Sequence, residues 1–172
     1  MTVLVAAASK HGATREIAER IGAELAEQGL EVAVRELAAV HDVGHYEAYV
    51  VGSAVYLGAW LKEARAFLDA HGAELAERPT WLFSSGSIVG DPPVADDPNA
   101  LRAGLAEKLV EMTRAREHKL FAGKLDSRKL SRVERLPVRM AHGREGDWRD
   151  LAAVDRWATA IAHELGRPEA PA

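Results

Sequence analysis

The chain has 172 residues, 48% of them hydrophobic, and no cysteine, so it can bury the core of one domain but excludes disulfides, iron–sulfur ligation and thiolate catalysis. Its net charge of −4 is unevenly distributed, because residues 114–145 carry ten Lys/Arg against four Asp/Glu while the remainder carries twelve against twenty-two. Such a basic segment is typical either of a surface for an anionic partner or of an ordinary solvated face.

The first two elements along the chain are predicted to be a strand and a helix. Residues 1–8 form an uncharged run rich in Val and Leu, which is typical of a strand buried on both faces of a parallel sheet. Ile17, Ile21 and Leu25 then recur at four-residue intervals and predict a helix that ends near Gly29. No basic leader precedes the strand and no apolar stretch approaches the roughly 20 residues that span a bilayer, so we expect a cytoplasmic protein, neither exported nor transmembrane.

The rest of the chain continues to alternate between strands and helices. Strands are predicted over residues 30–37, 46–55, 80–84 and 118–122. Helices are predicted from one apolar stripe that ends at Gly72, from a second over residues 99–115, and from a third for which Asp147 is the N-cap. The first of these stripes consists of Trp60, Ala64, Phe67, Leu68 and His71. Residues 123–146 are predicted to be an irregular basic insertion, and residues 167–172 a flexible tail.

This alternation predicts an α/β fold. Five strands without internal repeats favour one domain over residues 1–166, a doubly wound parallel sheet of order 2-1-3-4-5 with helices on both faces. Ligands of such sheets bind beyond the carboxyl ends of the strands, where the strand order reverses. The residues directly after the first, third and fourth strands are therefore the candidates for a binding site.

The turn after the first strand, Ser-Lys-His-Gly-Ala-Thr at residues 9–14, has the chemistry of an anion site. Its hydroxyls, its single glycine and the N–H groups that open the next helix offer several donors at the positive end of a helix dipole. An ordinary Ser or Thr helix cap would have the same composition. Neither G-x-G-x-x-G nor G-x-x-x-x-G-K-[ST] occurs at this turn, so it does not match a dinucleotide or nucleoside triphosphate loop.

The run Ser9-x-x-Gly12-x-Thr14-x-x-x-Ala18-x-x-Ile21 resembles the flavodoxin phosphate-loop signature. The resemblance implies a flavodoxin-like fold that holds FMN, and it departs from the family at Ala7, often aromatic there, and at Ala13, often Asn. It assigns Lys10 to the solvated side of the turn. The phosphate-loop positions that it implies are Ser9, His11, Gly12, Ala13 and Thr14.

Two later loops fit the isoalloxazine ring of that cofactor. The loop after the third strand combines aromatic residues with glycines, which permit stacking and close backbone approach, and the loop after the fourth strand is polar and glycine-rich. Tyr56 is the first candidate for stacking on the ring and Trp60 the second, although both could instead be the rim of the helix core. The cofactor-binding residues predicted here are Ser53, Ala54, Val55, Tyr56, Leu57, Gly58, Trp60, Ser85, Gly86 and Ser87.

Over nearly its full length the chain is also similar to the menaquinone-dependent protoporphyrinogen oxidase group. The marks are the run Gly52–Trp60, the basic insertion from Gly123 onward and the closing Gly146-Asp147-Trp148. This resemblance implies an FMN-dependent oxidoreductase that oxidises protoporphyrinogen with a quinone as acceptor. It also implies peripheral contact of residues 123–146 with the inner face of the membrane, where bases alternate with apolar residues.

No side chains are predicted to act as catalytic groups or metal ligands. His41 and His45 are four residues apart, but Gly44 between them indicates a loop, where this spacing does not form a metal site. The chemistry is therefore assigned to the cofactor. Two alternatives stay open: a flavodoxin-type electron carrier with a redox protein as partner, and a flavin-free scaffold domain of the same fold. We expect no nucleic-acid partner.

Overall fold

A computed structural model describes residues 1–56, 58–86, 104–125, 146–147 and 149–166. Within these ranges the chain forms eight strands, four α-helices and one short 3-10 turn. The strands are β1 Thr2–Ala8, β2 Glu31–Glu36, β3 Ala48–Tyr56, β4 Ala59–Trp60, β5 Thr80–Gly86, β6 Glu117–Ala122, β7 Lys124–Leu125 and β8 Gly146–Asp147. The helices are α1 Ala13–Glu27, α2 Lys62–Leu75, α3 Leu105–Thr113 and α4 Leu151–Leu165, and the 3-10 turn is Leu37–Ala39.

The main sheet has the order β2-β1-β3-β5-β6, with all of these strands parallel. This arrangement confirms the predicted order 2-1-3-4-5, since β4 is an additional two-residue strand that pairs antiparallel with β3. The registers bring Ala8 opposite Ser53 and Ala54 opposite Ser85. The carboxyl ends of β1, β3 and β5 therefore meet at one edge of the sheet, and the order reverses between β1 and β3.

Both faces of the sheet are covered by helices, because β1 and β3 are apolar at successive positions. Val3, Val5 and Ala7 pack with α1 and α4 in one core, while Leu4 and Ala6 pack with α2 and α3 in the other. Alternate residues of a strand point to opposite faces, so a strand without a polar face needs cover on both sides. The uncharged run at residues 1–8 predicted this environment.

Several predicted boundaries are wrong for reasons that lie in tertiary contacts. Trp60 was predicted on a helix, but it belongs to β4, and α2 begins two residues later and continues to Leu75 beyond Gly72. Asp147 does not cap the last helix. Asp147 lies in β8, and the N-cap is Asp150, whose carboxylate accepts a hydrogen bond from the Ala153 N–H at 2.9 Å.

The described ends of the predicted insertion are paired with each other. Lys124 lies opposite Asp147, and Leu125 opposite Gly146, in a two-stranded antiparallel ribbon. The prediction of irregular structure is therefore wrong for these two ends. The intervening residues 126–145 and the predicted tail 167–172 lie outside the described residues, as do residues 99–103 of the predicted third helix. None of the helices in the described ranges has the length and apolar character needed to cross a membrane.

Candidate functional site

The turn after β1, residues 9–14, leaves the N-terminus of α1 open. Gly12 precedes the helix with φ of +91°, a left-handed conformation that suits glycine, and it has no side chain with which to cap the helix. The first helical hydrogen bond runs from the Glu16 N–H to the Gly12 carbonyl at 3.0 Å. The N–H groups of Ala13, Thr14 and Arg15 therefore have no acceptor within the helix and are directed out of its positive end.

Within this β1–α1 turn one side chain supports the backbone and another is buried. The Ser9 hydroxyl accepts a hydrogen bond from the Gly12 N–H at 3.1 Å, which holds the two ends of the turn together. Thr14 is 2% exposed, whereas Ser9, His11 and Ala13 are half-buried, and the His11 Nε2 atom is buried. The five residues predicted for the phosphate loop thus lie together around the open end of α1.

Lys10 has a contact that the prediction did not include. Its residue is exposed, as expected of the solvated side of the turn, but its Nζ atom lies 4.4 Å from the centroid of the Tyr56 ring. An ammonium group within about 6 Å of an aromatic centroid is attracted to the face of the ring. The contact joins the β1–α1 turn to the loop after β3, and the sequence alone gave no sign of it.

The second part of the site is the aromatic hairpin, which we define as residues 55–60. Val55 pairs with Trp60 and Tyr56 with Ala59, and Gly58 has a φ of +75° at the bend. Tyr56 is half-buried, so its ring can still contact a ligand. Leu57, which was also predicted to bind the cofactor, lies outside the described residues.

Ser53 and Trp60 have structural contacts that hold the hairpin. The Ser53 hydroxyl accepts a hydrogen bond from the Leu61 N–H at 3.0 Å and donates one to the Ala54 carbonyl at 2.8 Å. Trp60 is 2% exposed, and its Nε1–H donates to the Ser84 hydroxyl at 2.7 Å. Because its indole is buried, Trp60 offers no stacking face, and the core interpretation describes it better than the ring-stacking one.

The bond to Trp60 continues to a histidine that the sequence interpretation did not select. The Ser84 oxygen lies 2.8 Å from Nε2 of His118 on β6. Burial lowers the pKa of His118, which favours the neutral ring, while Glu107 and Glu117 partly oppose the shift. Since Trp60 can only donate, the Ser84 hydroxyl accepts from Trp60, and the direction of the bond between Ser84 and His118 depends on which ring nitrogen of His118 holds the proton.

The remaining predicted residues lie at the end of β5. Ser85 is 4% exposed and Gly86 is buried, and both belong to the strand, which extends beyond the predicted end at residue 84. Ser85 lies opposite Ala54, so β5 ends beside the aromatic hairpin. Ser87 lies outside the described residues.

A buried arginine joins the β7–β8 ribbon to α1 near the turn. The Arg149 side chain is 7% exposed and bonds both carboxylate oxygens of Asp147, through Nε at 2.7 Å and Nη2 at 2.6 Å. Its Nη1 donates to Glu16 in the first turn of α1 at 2.5 Å. These hydrogen bonds raise the pKa of Arg149, so the guanidinium is a permanent charge that fixes the ribbon against the helix.

Comparison with known proteins gives the family of the chain. A family model described as a flavodoxin domain matches residues 4–151. An archaeal flavodoxin aligns with a TM-score of 0.65 and 20% identity, over 97% of this chain and 100% of its own. Oxidised flavodoxin 1 from Bacillus cereus aligns with a TM-score of 0.66 and 14% identity, over 96% and 100%.

A larger protein contains a similar domain. A flavo di-iron protein mutant from Thermotoga maritima aligns with a TM-score of 0.64 and 17% identity, over 95% of this chain and 36% of its own. No curated protein matches the sequence. At these identities the solved structures establish the fold, and the family match, which spans most of the chain, establishes the relationship.

Proposed function

Because the chain belongs to the flavodoxin domain family, we propose that it binds FMN without a covalent bond and carries electrons between redox partners. The observation that carries the proposal is the open N-terminus of α1 behind the β1–α1 turn, at the edge where the strand order reverses. FMN is the cofactor of flavodoxin homologues. A phosphate at such a helix end is stabilised both by the N–H groups and by the helix dipole.

The residues of the turn fit a phosphate group. Gly12 has no Cβ, and the nearest outside atom to that position is Arg15 Nη2 at 4.0 Å, so the approach to the helix end is open. The N–H groups of Ala13 and Thr14 and the Thr14 hydroxyl would donate to the phosphate oxygens. Ser9 would hold the conformation of the turn through its bond to the Gly12 N–H, and His11 would line the phosphate site at one side.

The aromatic hairpin and the end of β5 would hold the isoalloxazine ring. Tyr56 would cover one face of the ring, with backbone groups of Ala54, Val55, Gly58, Ser85 and Gly86 at its edge. Trp60, Ser84 and Ser53 would act indirectly, because their hydrogen bonds fix the position of the hairpin. When bound, FMN supplies the electron-accepting and electron-donating chemistry, and the protein orients it and limits its contact with water.

The more specific interpretation, protoporphyrinogen oxidation with a quinone acceptor, has no support from the family match or the aligned structures, which favour the electron carrier. A redox protein is therefore the first partner to test, and a small quinone or porphyrinogen the second.

One described residue of the basic segment, Arg116, has contacts within the domain. Its Cζ atom lies 5.2 Å from the centroid of the Trp81 ring, and its Nη1 atom lies 3.6 Å from Glu164, which is typical of a solvated structural face.

Membrane contact of residues 123–146 stays a prediction, because residues 126–145 lie outside the described residues. Each engaged base near an anionic bilayer contributes about 1 kcal/mol. We therefore expect co-sedimentation with anionic but not neutral vesicles at low salt if the segment contacts membrane. If the protein does not co-sediment with anionic vesicles at low salt, the prediction of membrane contact is wrong.

The purified protein provides the main test of the proposal. We expect a yellow protein with a flavin spectrum, or a colourless one that quenches the fluorescence of added FMN, and no turnover of protoporphyrinogen with menaquinone. A colourless protein that fails to quench FMN would instead favour the flavin-free scaffold. Protoporphyrinogen turnover with menaquinone would restore the oxidase interpretation.

A further inference from the structure

The contact between Lys10 and Tyr56 has a consequence for the electron-carrying role, on which this inference rests. We propose that Lys10 raises the redox potential of the bound flavin by placing a positive charge beside the ring-binding hairpin. Its Nζ atom lies 4.4 Å from the Tyr56 centroid, and Tyr56 is the half-buried aromatic of that hairpin. Lys10 is thus a potential-determining residue as well as a member of the β1–α1 turn.

The sign of the effect follows from charge. Reduction of FMN by two electrons and one proton from a chemical reductant leaves one negative charge on a ring system that is neutral when oxidised. A nearby ammonium group stabilises that charge through a Coulomb interaction that acts over about 10 Å at 0.1 M salt. Lys10 therefore favours binding of the reduced cofactor over the oxidised one, which is a higher potential.

The charged residues around Lys10 distinguish its role from that of the neighbouring lysine. A cavity of about 400 Å³ beside the turn is lined by two lysines and two glutamates, Lys10, Lys62, Glu36 and Glu63, with apolar residues from β1, the 3-10 turn and Leu61 around them. Glu36 is already paired with Arg15 at 3.3 Å. Lys10 is the lysine of this set whose Nζ atom lies over the Tyr56 ring, so the loss of its charge acts on the ring-binding hairpin directly and disfavours the reduced cofactor.

The test separates the potential from simple phosphate binding. We expect Lys10→Gln to weaken FMN binding in both redox states, since the residue belongs to the turn, but an effect on the phosphate is equal for both states and cancels in the ratio of the two affinities. We expect the ratio of affinities for reduced over oxidised FMN to fall by about threefold to tenfold, which corresponds to roughly 15–30 mV for a two-electron couple. The ratio is measured from dissociation constants under dithionite and in air, and independently by dye-equilibrated titration of the midpoint potential.

Two matched variants complete the experiment. Lys62→Gln removes the other lysine of the same cavity and should change the ratio by less than about twofold, while Lys10→Arg keeps the charge and should retain the parent ratio. The Lys10→Gln effect should also shrink at high salt. An unchanged ratio in Lys10→Gln, or an equal change in Lys62→Gln, would overturn the role of Lys10 while leaving FMN binding intact. A parent protein that binds neither form of FMN would overturn the proposed function and this inference with it.

Discussion

Two segments at the same edge of the sheet are held in place by contacts of different range. In the β1–α1 turn, the stabilising bond joins Ser9 to Gly12, three residues apart. In the aromatic hairpin, Trp60 bonds to Ser84, 24 residues away, and Ser84 bonds to His118, a further 34 residues away. The turn is therefore a local structure, whereas the hairpin depends on three strands of the assembled sheet.

Because of this difference, substitutions in the two segments should affect different properties, ligand affinity in the turn and the free energy of unfolding in the hairpin. The turn exposes backbone donors and buries few groups, so its side chains should affect the ligand more than the fold. The hairpin is fixed by a buried indole and a buried hydroxyl, and a buried donor or acceptor that loses its partner destabilises the protein. Changes to Trp60 and Ser84, which hold the hairpin in place, should therefore alter the free energy of unfolding before they alter the affinity for FMN.

The largest effect is expected for Trp60→Ala. Removing a buried indole should lower the free energy of unfolding by about 3–5 kcal/mol, through lost burial and the cavity left behind. Urea unfolding followed by circular dichroism measures the change. Trp60→Phe is the control, because it keeps most of the apolar volume, loses only the bond to Ser84, and should cost about 1–2 kcal/mol. A loss below about 1 kcal/mol in Trp60→Ala would contradict the role of the indole in holding the hairpin.

Thr14→Val should act on the ligand instead. Losing a hydrogen bond to a charged group costs roughly 1.5–3 kcal/mol, so the dissociation constant for FMN should rise by about ten- to a hundred-fold. Fluorescence titration of FMN gives the value, and urea unfolding should be nearly unchanged. Thr113→Val, a buried threonine on α3 that donates to Leu109 instead, should bind FMN like the parent. An unchanged constant in Thr14→Val would remove Thr14 from the phosphate site.

The same substitution in both segments compares them directly. Ser84→Ala leaves the buried Trp60 N–H and the His118 Nε2 without their shared partner and should cost about 1–3 kcal/mol of unfolding free energy. Ser9→Ala removes one bond within a half-buried turn and should cost about 1 kcal/mol or less. Parallel urea titrations measure both. If Ser9→Ala proved the more destabilising of the two, the distinction between local and long-range support would be wrong.

The smallest effect is expected in the pH dependence of stability. Above the unfolded-state pKa of about 6.5, His118 is neutral in both states and contributes no slope. As the pH falls below that value, the unfolded chain takes up a proton that the folded protein resists, because burial lowers the pKa of His118 in the fold. Stability should therefore decline as the pH falls, with a slope of no more than about 1.4 kcal/mol per pH unit from this group.

His118→Gln should flatten this part of the stability curve, measured as the urea midpoint between pH 7.5 and 5. Equal slopes in the parent and in His118→Gln would show that another group causes the acid sensitivity.

The sequence by itself determined the features that depend on local patterns. Apolar residues at successive positions of residues 1–8 indicated a strand covered on both faces, and the four-residue spacing of Ile17, Ile21 and Leu25 indicated α1. The β1–α1 turn could also be identified, because Ser9 and Gly12 act on each other within three residues. Such patterns are set by helix and strand periodicity, which does not depend on the rest of the chain.

The tertiary structure alone decided the features that depend on distant partners. Trp60 continues an apolar helical stripe, yet it pairs with Val55 in a strand because Ser84 and the core beside it receive the indole. Asp147 is a residue type that often caps helices, yet it pairs with Lys124 in the β7–β8 ribbon, and Asp150 caps α4 instead. In both cases a residue with a good local role has a stronger long-range partner, and periodicity contains no information about that partner.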